Sequence, residues 1–158
     1  MLAKDEDAAS VRFPPPLVYV AAIGVGITLR MVASPLQLGM AISARVAVAG
    51  SLGAAGMAIL AAATSRFKRG GQDPKPWKVT PEIIRTGIYG ATRNPMYVAM
   101  GLLQVSIGVA LANGWIVVLA PIALAIVYAI AIRHEEAYLE AKFGDPYRNY
   151  KKSVRRWL

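Results

Sequence analysis

Read for apolar and polar positions, the chain divides into four long apolar runs separated by brief polar punctuation. The first spans about residues 17–33 and stops at Ser34-Pro35; the second spans about 39–64. The third starts at Met96 and ends at the Asn113-Gly114 turn signal, and the fourth covers 115–132. The last two are each about 18 residues, or roughly 27 Å of helix, against a hydrocarbon core about 30 Å thick. The pattern predicts an all-α integral membrane protein with four transmembrane helices in two hairpins. A cytoplasmic helical extension and a C-terminal interfacial helix complete it. Five stretches follow: a tail (1–16), a first hairpin (17–64), a polar loop (65–95), a second hairpin (96–132) and a helical C-terminal region (133–158).

Composition adds orientation. With 158 residues the length suits one soluble domain, but a 56% hydrophobic content gathered into runs overrules that reading. The net charge of +9 is distributed by topology. Loops 34–39 and 111–115 carry no charge. Residues 65–94 carry Arg66, Lys68, Arg69, Lys75, Lys78, Arg85 and Arg93, and seven more basic residues follow from Arg133 onward. The positive-inside rule therefore places both termini and the central loop in the cytoplasm. Topology accounts for the charge, and no stacking-plus-basic groove is visible, so nucleic acid is not a partner. There is no cysteine, hence no disulfide, thiolate metal site or cysteine nucleophile, and no metal site is expected. The opening MLAKDEDAAS is acidic and polar, unlike a signal peptide, and Pro14-Pro15-Pro16 stiffens the approach to the first helix.

Within the runs, Gly50, Gly53, Gly56, Gly101 and Gly108 read as close-contact positions between helices. Pro121 is expected to kink the fourth helix. Arg30 and Arg45 lie near the outer ends of the first two runs, where a long side chain snorkels toward headgroups, onto lipid phosphate. No Asp or Glu falls inside a run, which argues against a proton-coupled carrier.

Chemistry concentrates at the inner ends of the second hairpin. Residues 86–100, TGIYGATRNPMYVAM, crowd two glycines, an arginine, an asparagine and a proline before the third run. Gly87 and Gly90 let backbone approach a flat or charged ligand. Arg93 offers a planar fork for a carboxylate. Asn94 and Pro95 read as helix cap and first-turn proline, and the following amides favour an anion. His134, Glu135 and Glu136 leave the membrane at the same depth, so the two groups are expected to converge. Either glutamate suits an ammonium; Tyr89, Tyr97 and Trp77 suit a purine or a lipid tail. Gly144, Asp145 and Pro146 stop one helix and start another. That last helix carries Tyr147, Tyr150, Val154 and Trp157 on one face among basic residues, an amphipathic pattern fitted to an anionic leaflet. A ligand bearing ammonium, carboxylate and aromatic base, such as S-adenosylmethionine, fits this inventory.

TGIYGATRNPMY followed about 40 residues later by EEAYLEAKFGDPYRNY resembles the integral-membrane methyltransferases related to isoprenylcysteine carboxyl methyltransferase and phospholipid N-methyltransferase. The resemblance covers roughly residues 66–156. It implies a cytoplasmic S-adenosyl-L-methionine pocket with a lipid-facing opening for a lipophilic or prenylated acceptor. Membrane lipids are implied as surroundings, and an oligomer is possible but not required. Carried onto matching positions, Gly87, Tyr89, Arg93, Asn94, Pro95 and Tyr97 form one wall, Glu135 and Glu136 the other, and Tyr147 and Tyr150 close the lower part. Many members have histidine where this chain has Asn94, which cannot titrate. A carboxylate acceptor needs a basic residue, Arg93, Arg133 or Arg148; an ethanolamine acceptor needs a base, His134 or a glutamate. Abundant arginine tilts the reading toward carboxyl O-methylation, with phospholipid N-methylation as the alternative. A nicotinamide-dependent membrane reductase and a non-enzymatic lipid-binding scaffold are the further alternatives.

Overall fold

A computed structural model describes residues 13–71, 78 and 80–157. Most of the expected tail (1–12) and Trp77 lie outside these residues. Among the described residues every regular element is helical. Helix α1 spans Pro16–Val32 and α2 Ile42–Arg69. A single 3-10 turn, Gly87–Gly90, precedes α3, Pro95–Ala110. Helix α4, Gly114–Val127, passes through a π-helical stretch, Tyr128–Ile132, into α5, Arg133–Phe143, and α6 covers Asp145–Ser153. Ile42–Arg69 and the continuous Gly114–Phe143 are long and apolar enough to cross a membrane; α1 and α3 are shorter apolar helices.

The apolar runs set these elements, but polar ends lengthen two of them. α2 continues past Thr64 through Ser65-Arg66-Phe67-Lys68-Arg69, because cations in a last turn interact well with the helix dipole. Pro95 starts α3 at its first position, where the missing N–H costs nothing. Asn113 caps α4 by accepting from the Trp115 N–H at 3.1 Å. Pro121 sits inside α4 and is exposed, so the ladder bond it removes borders no packed neighbour.

The packing departs from two simple hairpins. α3 and α4 do pack together, but α1 lies against α4 and α2 against α3. Sequential α1 and α2 are joined by extended residues that cross the α3–α4 turn. There the Gly114 N–H donates to the Leu36 carbonyl at 2.8 Å and Trp115 Nε1 to that of Ser34 at 3.1 Å. Asn113 Nδ2 donates to the Gly26 carbonyl at 3.0 Å. Arg30 is exposed, and its guanidinium donates to the Leu111 carbonyl at the end of α3. An uncapped helix end is a better acceptor for it than solvent.

Small residues decide which faces meet. A Cβ on Gly26 would lie 2.6 Å from Ile116 Cγ1 and 2.9 Å from its backbone nitrogen; one on Gly56 would lie 3.1 Å from the Ala99 carbonyl oxygen. Gly53 and Gly108 meet Ser106 and Val117 with similar closeness. Gly50 and Gly101 have nothing within 4 Å, so their reading as contact positions does not hold in this fold. The core, Tyr19, Tyr97, Ala123, Val127, Ala131 and Ile132, runs along α4 and its π stretch to the inner end of the bundle.

Gly26→Ala is expected to lower the unfolding midpoint in detergent, costing about 1–3 kcal/mol through overpacking. Gly50→Ala, with open space around it, leaves the midpoint unchanged or slightly higher. Equal shifts in a thermal-melt comparison would contradict the contact assignment.

Candidate functional site

Gly87 has φ +65°, a conformation that disfavours any side chain, and a Cβ there would lie 2.6 Å from Arg66 Nη2. The Arg66 guanidinium thus rests on the turn's backbone. This contact turns Tyr89 inward, where it is buried with its ring edge-on to Phe67 at 5.9 Å. Tyr150 Oη of α6 donates to the Tyr89 carbonyl at 2.7 Å.

Past the turn, the chain is clamped by residues 155–156. The Arg93 N–H donates to the Arg155 carbonyl at 3.0 Å; Thr92 Oγ1 and Asn94 Nδ2 both donate to the Arg156 carbonyl, at 2.9 and 3.2 Å. The Asn94 side chain therefore does not cap α3, the role expected for it; its carbonyl receives the Tyr97 and Val98 N–H groups instead. Tyr97 is held through its own carbonyl, which accepts from Tyr19 Oη at 3.0 Å.

The two glutamates have different surroundings. Glu136 is buried and shared by two arginines: Arg93 Nη2 lies 3.1 Å from its Oε1, and Arg156 forks onto both oxygens at 3.0 and 2.8 Å. Glu135 turns the other way, accepting from Tyr97 Oη at 2.5 Å. Burial pushes the Glu135 carboxyl up to about 7, against the lowering effect of the Tyr97 hydrogen bond, and neighbouring Glu136 adds to the rise. Burial likewise raises the Tyr147 phenol and takes that of Tyr150 up to about 12, with Arg93 opposing both.

Between these walls lies a small, open cavity of about 120 Å³, below the roughly 300–1,000 Å³ common for small-molecule sites, so a ligand of nucleoside size must also fill its mouth. Tyr89, Arg93, Asn94, Pro95 and Tyr97 line it from the entrance side, and Glu135 from α5. Tyr147 and Tyr150, buried beneath α6, close it. Tyr147 and Tyr150 of α6 thus line this cavity, while Arg148, Asn149 and Lys152 are exposed on its other side. Gly87 and Glu136 stand behind the wall and do not line it. Arg133 is exposed beside His134, its Nε 3.5 Å from the imidazole Nε2, and Arg148 is paired with Asp145 at 2.7 Å on the surface. None of these three lines the cavity.

The Arg93 side chain is 8% exposed, yet its Nε and Nη1 have no hydrogen-bond partner. Two buried nitrogens without acceptors are costly, and their residue lines the cavity. An anionic group is what such a site accepts. Sequence reading missed Phe67, Tyr138 and Arg156. Tyr138 falls one turn after Glu135, a spacing that points it to the same cavity. Phe67 and Arg156 sit in basic runs that read as topology alone.

The layout is that of an apolar helical bundle carrying a polar, tyrosine-lined small-molecule site at one end. The chain belongs to the phospholipid methyltransferase family, whose model matches residues 29–146, about three quarters of the sequence. It is a membrane protein of a methyltransferase family. An uncharacterized protein of Haemophilus influenzae is 42% identical to it over 65 residues, which is 40% of this chain and all of that protein.

An infrared titration of the unliganded protein should show the Glu135 carboxyl changing near pH 7. Tyr97→Phe moves the midpoint higher by removing the hydrogen bond to the carboxylate, and Glu135→Gln abolishes the band. A wild-type midpoint near the ordinary 4.5 would contradict the burial of this group.

Proposed function

We propose that this protein transfers a methyl group from S-adenosylmethionine to the amine headgroup of an ethanolamine-type phospholipid. The observation that carries this is a single cavity in which two unpartnered Arg93 donors and the Glu135 carboxylate occur together among tyrosines. A ligand joining carboxylate, ammonium and aromatic base satisfies all three. In this reading α1–α4 all cross the bilayer; α1 and α3, with 17 and 16 residues, reach roughly 24–26 Å. The basic loop and both termini face the cytoplasm.

Arg93, through an unpartnered Nε or Nη1 donor, gives a charge-assisted hydrogen bond to the cofactor's carboxylate. Glu135 has Oε1 engaged by Tyr97, and its carboxylate holds the ammonium. Tyr89, Tyr147 and Tyr150 cover the base and exclude water. When bound, the cofactor supplies a methyl group on a cationic sulfur, whose bond breaks toward sulfur as the acceptor nitrogen's lone pair attacks. The acceptor must first lose a proton, and Glu82, exposed at the cavity mouth, takes it and passes it to water. The protein's contribution is alignment and dryness.

The family favours this acceptor over a carboxylate. The tilt toward O-methylation rested on arginines and a histidine, but Arg133, His134 and Arg148 lie outside the cavity, and Arg93 is occupied by the cofactor in this reading. The reductase and scaffold readings have no comparable support.

Detergent-solubilised protein incubated with methyl-labelled cofactor and a lipid extract should label phosphatidylethanolamine, with product masses rising by one methyl at a time. Glu135→Gln should weaken cofactor binding at least about tenfold, the order expected for a buried charge-assisted pair. Wild-type affinity should rise between about pH 6 and pH 7.5 as the Glu135 carboxyl ionises, and the variant should lose that dependence. Label in a carboxyl ester, or no cofactor binding by wild type, would overturn the reading.

A further inference from the structure

The segment that follows α6 makes no helix, yet it holds more of the site than any single helix does. Val154 leaves α6 in extended conformation, and the next two residues give their carbonyls to the backbone and side chains of Thr92, Arg93 and Asn94. The Arg156 side chain then turns under the cavity wall. Its Nε and Nη2 fork the two oxygens of Glu136, and its guanidinium lies over the Tyr128 ring at 4.8 Å. The residue touches no part of the cavity.

Its effect is on Arg93. A carboxylate left alone with one arginine settles into a two-point fork with it. Here Arg156 occupies that geometry from the far side, and Arg93 keeps one contact, Nη2 to Oε1 at 3.1 Å. The Nε and Nη1 donors of Arg93, which lie on different edges of the guanidinium, are thereby left buried and without a partner. Two guanidiniums share one carboxylate, so the cluster carries one positive charge more than it neutralises. A buried charge of that kind is costly until an anion meets it.

We propose that Arg156 is a positioning residue: by taking Glu136 in a fork, it leaves the Arg93 Nε and Nη1 donors unclaimed for the carboxylate of the methyl donor. This rests on the assignment of S-adenosylmethionine to the cavity. Arg156 lies beyond residues 29–146, the part of the chain that the family model matches. Without Arg156, Glu136 is free to fork onto Arg93 through Nη2 and one of those two donors.

The test compares two ligands in binding titrations: S-adenosylmethionine, and its decarboxylated analogue, which keeps the ammonium, sulfonium and base. Wild type prefers the former. In Arg156→Ala that preference falls about tenfold or more, because the carboxylate-bearing ligand weakens while the analogue stays within about twofold of wild type. Arg156→Lys, which holds Glu136 at one point only, falls between the two and serves where the alanine variant does not fold. A structural loss of the cavity would weaken both ligands alike, so equal weakening, or unchanged preference in both variants, overturns the proposal. Failure of wild type to bind either ligand overturns instead the cofactor assignment on which it stands.

Discussion

The cluster of Arg93, Glu136 and Arg156 is the constraint on which the inner end of this protein depends. It gathers three segments: the entrance to α3, the start of α5 and the extended residues after α6. Burying a carboxylate costs several kcal/mol unless its oxygens are satisfied, and Glu136 meets that condition only when both arginines are present. The satisfied carboxylate in turn fixes Arg93, and Arg93 fixes the sign of the cavity next to it. Glu135, one residue away, is left with a tyrosine for partner and a carboxyl that titrates near neutrality. Adjacent residues of one type thus end with different surroundings, one held in an ion cluster and one lining the cavity.

Much of this arrangement was legible in the sequence, for identifiable reasons. The apolar runs give the helices because a bilayer admits only helices and closed barrels, and unbroken apolar runs of this length fit the former. The glycine-rich entrance and the tyrosines of α6 announce themselves by residue type and spacing. The choice between Glu135 and Glu136 was not legible. Buried positions along α4 recur as Ala120, Ala123, Val127 and Ala131, the ordinary three- and four-residue spacing; Ile132 is buried as well, and Glu136 follows it at four. The π stretch inserts an extra residue there and gives the inward position to Glu136. A strict helical period from Val127 through Ala131 points instead to His134 or Glu135. No propensity scale marks a π turn in YAIAI, a run of ordinary helix formers and β-branched residues.

Helix pairing was equally hidden. Small residues were visible as potential contacts, but Gly26, absent from that reading, makes one of the tightest approaches, and Gly50 makes none. A glycine's value in an apolar bundle is set by what faces it, which a single sequence does not state. The extended crossing between α1 and α2 has the same character. Its pairing with the α3–α4 turn uses the carbonyls of Ser34 and Leu36, backbone groups carried by every residue. Arg30 looked like a lipid-facing charge for the same reason: its acceptor is a main-chain oxygen 81 residues away.

The clamp on the entrance motif also imposes an order on biogenesis. Thr92 and Asn94 are separated from their common acceptor by 64 and 62 residues. When the ribosome has delivered α3 and α4 to the membrane, the arginine of the motif has neither its carboxylate nor its backbone partner. Only after translation has passed Arg156 can the charges balance and the cavity take shape, so a half-inserted nascent chain lacks a competent site. That the cavity closes only when the bundle is complete is thus a product of chain order alone.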